Sequence, residues 1–187
     1  MASTGALKRI VAEAAILIGT CLLATAQAQA ADRLKEILDR GVVRVGVQGA
    51  FKPWSFPAPD GSMQGIEVDL GKSVAEALGV KFEPVIITSA NRMQFLQQSK
   101  IDLIIGGMYD TADRRKIVGM IEPAYWTSGP TLLAKKGVIK DWRDIANKPV
   151  CGKQGNYYNK QVETELHANL IAFAARVVLH KLAQMKH

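Results

Sequence analysis

The 187-residue sequence is poor in cysteine and histidine, and this scarcity argues against several function classes. Cys21 lies in an N-terminal apolar stretch that we expect to be removed, so we predict no internal disulfide with Cys151. His167, His180 and His187 lack the spacing of a metal site. The sequence also has no G-x-S-x-G motif and no carboxylate pair that can be placed in one site. We therefore predict no metal, no other cofactor and no catalytic activity.

The sequence also lacks an uninterrupted apolar run of the roughly 20 residues that a transmembrane helix needs. Its most apolar stretch, residues 10–26, is interrupted by Glu13, follows two basic residues and precedes a small-x-small motif at residues 28–30. This order is typical of a cleaved secretory signal. We expect residues 1–30 to be a signal peptide and the mature protein to be periplasmic.

Positive charge is in excess, with a net charge of +7, but nothing in the sequence concentrates it. There is no zinc-finger spacing, no aromatic RNA-binding signature and no basic helix. We interpret the charge as a general solvated surface and predict no nucleic-acid partner.

Apolar periodicity alternates between strand-like and helix-like segments, which is typical of an α/β fold with crossover helices. Residues 42–47 and 81–87 have the composition and pattern of strands. Between them, apolar residues recur at helical spacing over residues 69–78, and Gly79 provides a helix end. The short apolar run at residues 101–105 is typical of a buried parallel strand.

Shorter patterns predict the remaining elements. Ser89 is expected to cap a short helix, Asp110 or Thr111 to cap another helix that begins at Ala112, and Cys151 to be a small buried residue in a strand. Further predicted elements are a strand at residues 131–135, a short helix at 141–145, a strand at 150–153, a helix at 157–166 and a strand at 169–173.

Six short segments occur in an order that resembles a known family. They are Val-Arg-Val-Gly-Val at 43–47, Lys-Pro-Trp-Ser-Phe at 52–56, Gly-Ile-Glu-Val-Asp-Leu at 65–70, Asn-Arg-Met-Gln-Phe-Leu at 91–96, Lys-Ile-Asp-Leu-Ile-Ile-Gly-Gly-Met at 100–108 and Thr-Ala-Asp-Arg-Arg at 111–115. In this order they are similar to the family 3 extracellular solute-binding proteins, over residues 34–173. The resemblance implies a type II periplasmic-binding-protein-like α/β fold, with mostly parallel sheets and two hinged lobes that close over a small ligand.

The resemblance also implies a domain arrangement. Lobe I would occupy residues 31–131, and part of lobe II would occupy residues 132–173. The family would then add further strands, an aspartate that receives the ligand's ammonium group, and a return to lobe I. Residues 174–187 do not resemble that continuation. We therefore expect lobe II and the return to lobe I to be incomplete, and residues 174–187 to be an aberrant tail.

In function, the resemblance implies extracytoplasmic binding of an amino acid or similar small polar solute. Such a protein would deliver its ligand to an ABC permease in the inner membrane, and truncation would impair the binding. Two alternatives stay open: a non-functional truncated remnant, and a dehydratase-like enzyme of the same fold.

Residues of lobe I that match the family's motifs form a predicted ligand site. Arg114 would pair with the ligand's α-carboxylate, because a planar guanidinium can donate two parallel hydrogen bonds to it. Gly107 and Tyr109 match positions whose backbone atoms contact the ligand. Phe51 and Trp54 match aromatic positions that pack on the ligand side chain. Each residue also has a purely structural reading, as a surface arginine, a turn glycine or a core aromatic.

The second lobe is expected to contribute Asn156 and Tyr157, whose structural alternative is capping and packing the helix that follows. Gln48 stands where relatives that prefer basic ligands often carry an acid. The resemblance therefore gives less support to a lysine-like or arginine-like ligand.

Overall fold

The computed structural model describes residues 33–174, so the predicted signal peptide and nearly all of the predicted tail lie outside the described residues. The elements are α1 (residues 33–40), β1 (Val42–Gln48), β2 (Phe56–Pro57), β3 (Met63–Gln64), α2 (Ile66–Leu78), β4 (Lys81–Ile87), α3 (Arg92–Gln97), β5 (Leu103–Ile104), α4 (Ala112–Arg115), a 3-10 helix (Trp142–Ile145), β6 (Pro149–Lys153), α5 (Asn159–Thr164) and β7 (Asn169–Phe173). The predicted α/β class with mostly parallel sheets is confirmed. Among these helices, none is both long and apolar enough to cross a membrane.

The first sheet has the strand order β4-β1-β5, and all its pairings are parallel. Its centre is β1, whose Val43, Val45 and Val47 are fully buried. This run is nearly continuous in apolar residues because a parallel sheet is covered on both faces. Val68 and Ala75 of α2 complete the buried core on one face. We call the part built on this sheet lobe I.

Helix α2 begins three residues earlier than the apolar periodicity indicates, because its first turn is fixed from outside the helix. The backbone N–H groups of Ile66 and Glu67 donate to the carbonyls of Pro53 and Trp54 at 3.3 and 2.9 Å. Gly65 makes this approach possible: it has a φ of 119°, and a Cβ there would lie 2.4 Å from the Trp54 carbonyl oxygen. The loop that carries Trp54 is thereby fixed against the start of α2.

The second sheet pairs β6 with β7 in parallel, and we call the part built on it lobe II. Its small core contains Ile145, Val162 and Ala168. Leu132 packs against this core, although the proposed lobe boundary between residues 131 and 132 stays a prediction. The two lobes therefore have separate hydrophobic cores.

Four local predictions need correction. The predicted strand at residues 131–135 is irregular, since no strand of the described part pairs with it and Leu133 is 75% exposed. Ser89 does not cap α3; instead Thr88 and Asn91 exchange hydrogen bonds of 2.8 and 3.2 Å that close this turn. Helix α5 is shorter than predicted, and Cys151 in β6 is half-buried rather than buried.

The carboxylate of Asp102, directly before β5, connects this strand to the central strand β1. Asp102 accepts a hydrogen bond from the backbone N–H of Arg44 at 2.8 Å and another from its Nη2 at 3.1 Å, and it also pairs with Arg40. Burial opposes the charged form, but the hydrogen bonds from Arg44 and the two guanidinium charges outweigh it, so the pKa of Asp102 is lowered. The ionised carboxylate is the form that the fold favours.

We expect Asp102→Asn to lower the free energy of unfolding at neutral pH by about 1–3 kcal/mol, the range for a charged hydrogen-bonding group. The contribution of Asp102 is complete above its unfolded pKa of about 4 and is lost as pH falls through the lower folded pKa. Urea unfolding at neutral and acidic pH measures both effects. Asp39→Asn is the control, because the exposed pair that Asp39 makes with Lys35 contributes little. Equal losses in the two variants would contradict this role.

The two lobes meet at Gly155, in the turn after β6. Gly155 has a φ of 74°, and a Cβ there would lie 2.3 Å from the carbonyl oxygen of Ser89 and 2.9 Å from the nitrogen of Ala90. Both of these atoms belong to the loop between β4 and α3 of lobe I. Real Cβ atoms are not found at such distances, so this junction closes only with glycine at position 155.

We expect Gly155→Ala to separate the lobes without unfolding either one. Hydrogen–deuterium exchange should rise at residues 88–90 and 153–156 and change little within β1. Gly137→Ala is the matched control, because Gly137 has a φ of 83° but a Cβ there would meet no atom within 4 Å. Both variants bear the left-handed backbone cost of about 1–2 kcal/mol, and the collision is specific to Gly155. The same exchange pattern in the two variants would contradict the role of Gly155 at the junction between the lobes.

Candidate ligand-binding site

Arg114 connects the two lobes. Its Nη1 donates to the carbonyl of Tyr109 in lobe I at 2.7 Å, and its Nη2 donates to the carbonyl of Gly155 in lobe II at 3.2 Å. Thr111, one of the two predicted caps, accepts the backbone N–H of Arg114 at 3.3 Å. We call the region around these contacts, together with Gly107 two residues before Tyr109, the cleft.

Two features decide what Arg114 can bind. Within residues 33–174 its guanidinium has only the two carbonyl partners, which leaves N–H donors for an anion. Burial lowers its pKa, because the charged form loses solvation. Helix α4 has only four residues, so the attraction for an anion comes from the guanidinium itself more than from the helix terminus.

Gly107 and Tyr109 both border the cleft, and both have partners in the irregular segment that follows α4. The Gly107 N–H donates to the Tyr125 hydroxyl at 3.2 Å, and the Tyr109 hydroxyl hydrogen-bonds Ser128 Oγ. The Tyr109 ring also packs against Tyr157 of lobe II, with 4.6 Å between centroids. The structure therefore brings together two of the predicted residues, one from each lobe.

The predicted aromatic pair lies side by side in the loop after β1. Phe51 and Trp54 stack with 6.2 Å between centroids and 24° between ring planes, and Trp126 meets Trp54 edge-on at 4.9 Å. Lys153 of lobe II places its Nζ 5.3 Å from the Phe51 ring centroid. Phe51 thus lies at the cleft.

Asn156 differs from the other predicted residues in its partners. Its amide Nδ2 donates to the Tyr158 hydroxyl at 2.5 Å, and its backbone carbonyl accepts from the N–H of Asn159 at 3.4 Å. Both partners lie in lobe II. These contacts agree with the structural alternative for Asn156, in which it fixes the start of the following helix.

Sequence reasoning missed a buried carboxylate beneath the cleft. Glu67 is 1% exposed and accepts hydrogen bonds from Ser55 Oγ at 3.0 Å and from the Tyr125 hydroxyl at 2.9 Å. Burial raises its pKa, although both hydroxyl donors act in the opposite direction. The signal was present in the sequence, since Glu67 shares a helix face with the apolar Leu70 and Val74.

Sequence reasoning also missed a buried guanidinium. Arg92 is 1% exposed, and its Nη1 donates to the carbonyls of Gly106 and Gly107 at 2.9 and 3.2 Å. Burial and then the charge of Arg114 lower its pKa to about 10. The sequence did contain an indication of this burial, because Arg92 lies on the same helix face as the apolar Phe95.

The third missed group is Lys153, at the end of β6. Its Nζ donates to Gln48 Oε1, and Gln48 in turn donates through Nε2 to the Gly106 carbonyl at 2.7 Å. Burial first, and then the charge of Arg92, lower the pKa of Lys153 to about 8. Its place at the carboxyl end of a parallel strand is the position where ligands bind in such sheets.

Other features of the described residues lie apart from the cleft. A surface cavity of about 370 Å³ is lined by residues between Leu132 and Trp142, none of which is a predicted ligand residue. No group of three or more His, Cys, Asp or Glu side chains in the described part of the chain could hold a metal ion.

Known proteins match both the sequence and the fold. The L-cystine-binding protein TcyJ of Escherichia coli K12 is 30% identical over 130 residues, which cover 68% of this chain and 48% of that protein. The chain thus spans about half the length of the curated relatives it matches.

Solved structures agree on the fold. A crystal structure of the ancestral amino acid-binding protein AncCDT-1, a precursor of cyclohexadienyl dehydratase, has a TM-score of 0.73 and 32% identity and covers 82% of this chain and 70% of its own. The arginine-bound form of truncated ArgBP from T. maritima has a TM-score of 0.70 and 27% identity, with coverages of 81% and 73%.

A family model completes the comparison and confirms the resemblance seen in the sequence. The model of the bacterial extracellular solute-binding proteins, family 3, matches residues 43–178, which is more than half of the chain. The chain therefore belongs to family 3 of the bacterial extracellular solute-binding proteins.

Proposed function

We propose that this chain binds an amino acid or a similar small polar solute in the cleft between lobes I and II. The observation that carries the proposal is Arg114, which reaches both lobes and keeps N–H donors for a further acceptor. An α-carboxylate is the planar, anionic acceptor that a guanidinium binds best. A ligand held this way contacts both lobes and thereby favours their closure.

The aromatic groups at the cleft support the same proposal. Phe51 and Trp54 present a stacked apolar surface beside the cationic groups, so a ligand side chain can pack there while its carboxylate reaches Arg114. We assign the predicted residues Gly107, Tyr109 and Tyr157 to the walls of this site, and Asn156 to its support.

We further propose that the protein works outside the cytoplasm and passes its ligand to an ABC permease of the inner membrane. The family to which the chain belongs is described as extracellular, which supports this location. The predicted signal peptide at residues 1–30 would provide the export route. The expected weakening of binding by an incomplete lobe II stays a prediction, and the measured affinity tests it.

We propose binding without turnover, although AncCDT-1 is described as a precursor of a dehydratase. The cationic cleft offers hydrogen-bond donors, and its carboxylate, Glu67, is buried and engaged by two hydroxyl groups. A binder gives saturation with the ligand recovered unchanged, whereas a dehydratase gives product.

We expect Arg114→Ala to weaken amino-acid binding about 30- to 4,000-fold, because the variant leaves a ligand charge without its partner at a cost of roughly 2–5 kcal/mol. Isothermal titration calorimetry with a panel of the common amino acids measures this change. Arg115→Ala is the matched control, since Arg115 is the adjacent exposed arginine and pairs with Asp110 and Glu122 at the surface. Equal affinity for Arg114→Ala and the unaltered chain would overturn the assignment.

A further inference from the structure

The described walls of the cleft carry more positive than negative charge. Arg92, Arg114 and Lys153 contribute cations, whereas Glu67 contributes the carboxylate that acts on two of them. Glu67 cannot fully offset these charges, because it supplies one carboxylate against three cations, and it forms hydrogen bonds with Ser55 and Tyr125 rather than an ion pair with any of them. The cleft therefore has an excess of cationic groups before a ligand enters.

Lys153 is the cation that faces the aromatic side of the cleft. Its Nζ lies 5.3 Å from the Phe51 ring centroid and donates to Gln48 Oε1. Gln48 is 4% exposed and is fixed by its bond to the Gly106 carbonyl, so it holds Lys153 in place. An ammonium carries three donors, and within residues 33–174 Gln48 accepts one of them, which leaves donors for a ligand.

The groups that surround Lys153 do not neutralise it. From lobe I, Arg92 repels it, Glu67 attracts it, and Gln48 and Phe51 are uncharged. From its own lobe, Asn159 donates to the Lys153 backbone carbonyl at 3.0 Å. A half-buried cation that lacks an adjacent counter-ion is costly, so the arrangement favours a ligand that supplies one.

We propose that Lys153 receives an anionic group at the end of the ligand's side chain, so that the ligand class is the acidic amino acids. This inference rests on the proposed function and specifies the ligand of the same cleft. Arg114 would bind the α-carboxylate, and the ligand's side chain would lie along Phe51 with its second carboxylate at Lys153.

Two observations favour an acidic side chain over the alternatives. A basic side chain would bring a further cation beside Arg92 and Lys153, although a relative of this fold is described as arginine-bound. An amide side chain would offer an acceptor but would leave the positive excess uncompensated.

Calorimetric titration of the full chain with glutamate, aspartate, glutamine, asparagine and arginine tests the inference. We expect the acids to bind more tightly than their amides. Lys153→Met, which keeps the length of the side chain, should weaken binding of the acids about 10- to 100-fold, the effect of losing one charge-assisted hydrogen bond. Binding of the amides should change much less. Lys160→Met, an exposed change in the same lobe, should leave the affinity for every ligand unaltered.

The outcomes separate this inference from the proposed function. Tighter binding of an amide or of arginine, lost in Arg114→Ala, would keep the proposed function and overturn the acidic ligand. Equal loss of acid and amide binding in Lys153→Met would indicate that Lys153 only holds the two lobes together. That result would also overturn the acidic ligand. A folded chain that binds none of the common amino acids would overturn the acidic ligand, and it would leave the proposed function only with another small polar solute.

The pH dependence of binding provides an independent readout. Because the pKa of Lys153 is lowered to about 8, its ammonium is complete below that pH and is lost above it. Affinity for the acidic ligand should therefore fall as pH rises from 7 to 9, by at most about tenfold per pH unit. Arg92, whose pKa is lowered to about 10, loses its proton mainly above this window.

Titrations of glutamate at several pH values, in buffers of different ionisation enthalpy, measure the accompanying proton uptake. We expect uptake near pH 8 in the unaltered chain and in Lys160→Met, and clearly less in Lys153→Met, where only the amino group of glutamate itself can contribute. Proton uptake that is undiminished in Lys153→Met would belong to another group and would overturn the role of Lys153.

Discussion

The backbone carbonyl of Gly106 is the acceptor on which the geometry of the cleft depends. Gln48 at the end of β1 and Arg92 at the start of α3 donate to it at 2.7 and 2.9 Å. Three elements are joined at this oxygen, because Gly106 itself follows β5. Both donors are buried, so movement of the carbonyl would leave the Gln48 amide without its acceptor and Arg92 with only the Gly107 carbonyl. Gln48 then positions Lys153, so this network reaches the second lobe.

Sequence patterns predicted the elements whose signals are local. The strand at residues 81–87 and the helix end at Gly79 were correct, because β-rich composition and a left-handed glycine act within a few residues. The strand predicted at residues 131–135 was wrong, because a strand also needs a partner and composition does not provide one. Its Leu132 packs on the core of lobe II instead.

The residues of the cleft also differ in whether local sequence could predict them. Arg114 was predicted as a ligand residue because it lies in a motif that resembles the family, and Phe51 because it directly precedes one. Glu67 and Arg92 lie in matched motifs too, but their importance depends on burial against residues far along the chain, such as Tyr125 and Gly106. Lys153 could not be assigned, because its contact with Gln48 joins residues 105 positions apart.

The groups that hold the lobes together are also those that a ligand would use. Arg114 donates to Gly155 across the cleft, and Lys153 donates to Gln48. A ligand can use the N–H donors that these bonds leave over, or it can replace the present acceptors, in which case the net gain is the difference between the new and the old partners. An anionic acceptor gains more from this exchange than a neutral one, because charge-assisted hydrogen bonds are the stronger ones. If the proposed site is correct, this difference would favour ligands that carry a negative charge to both lobes.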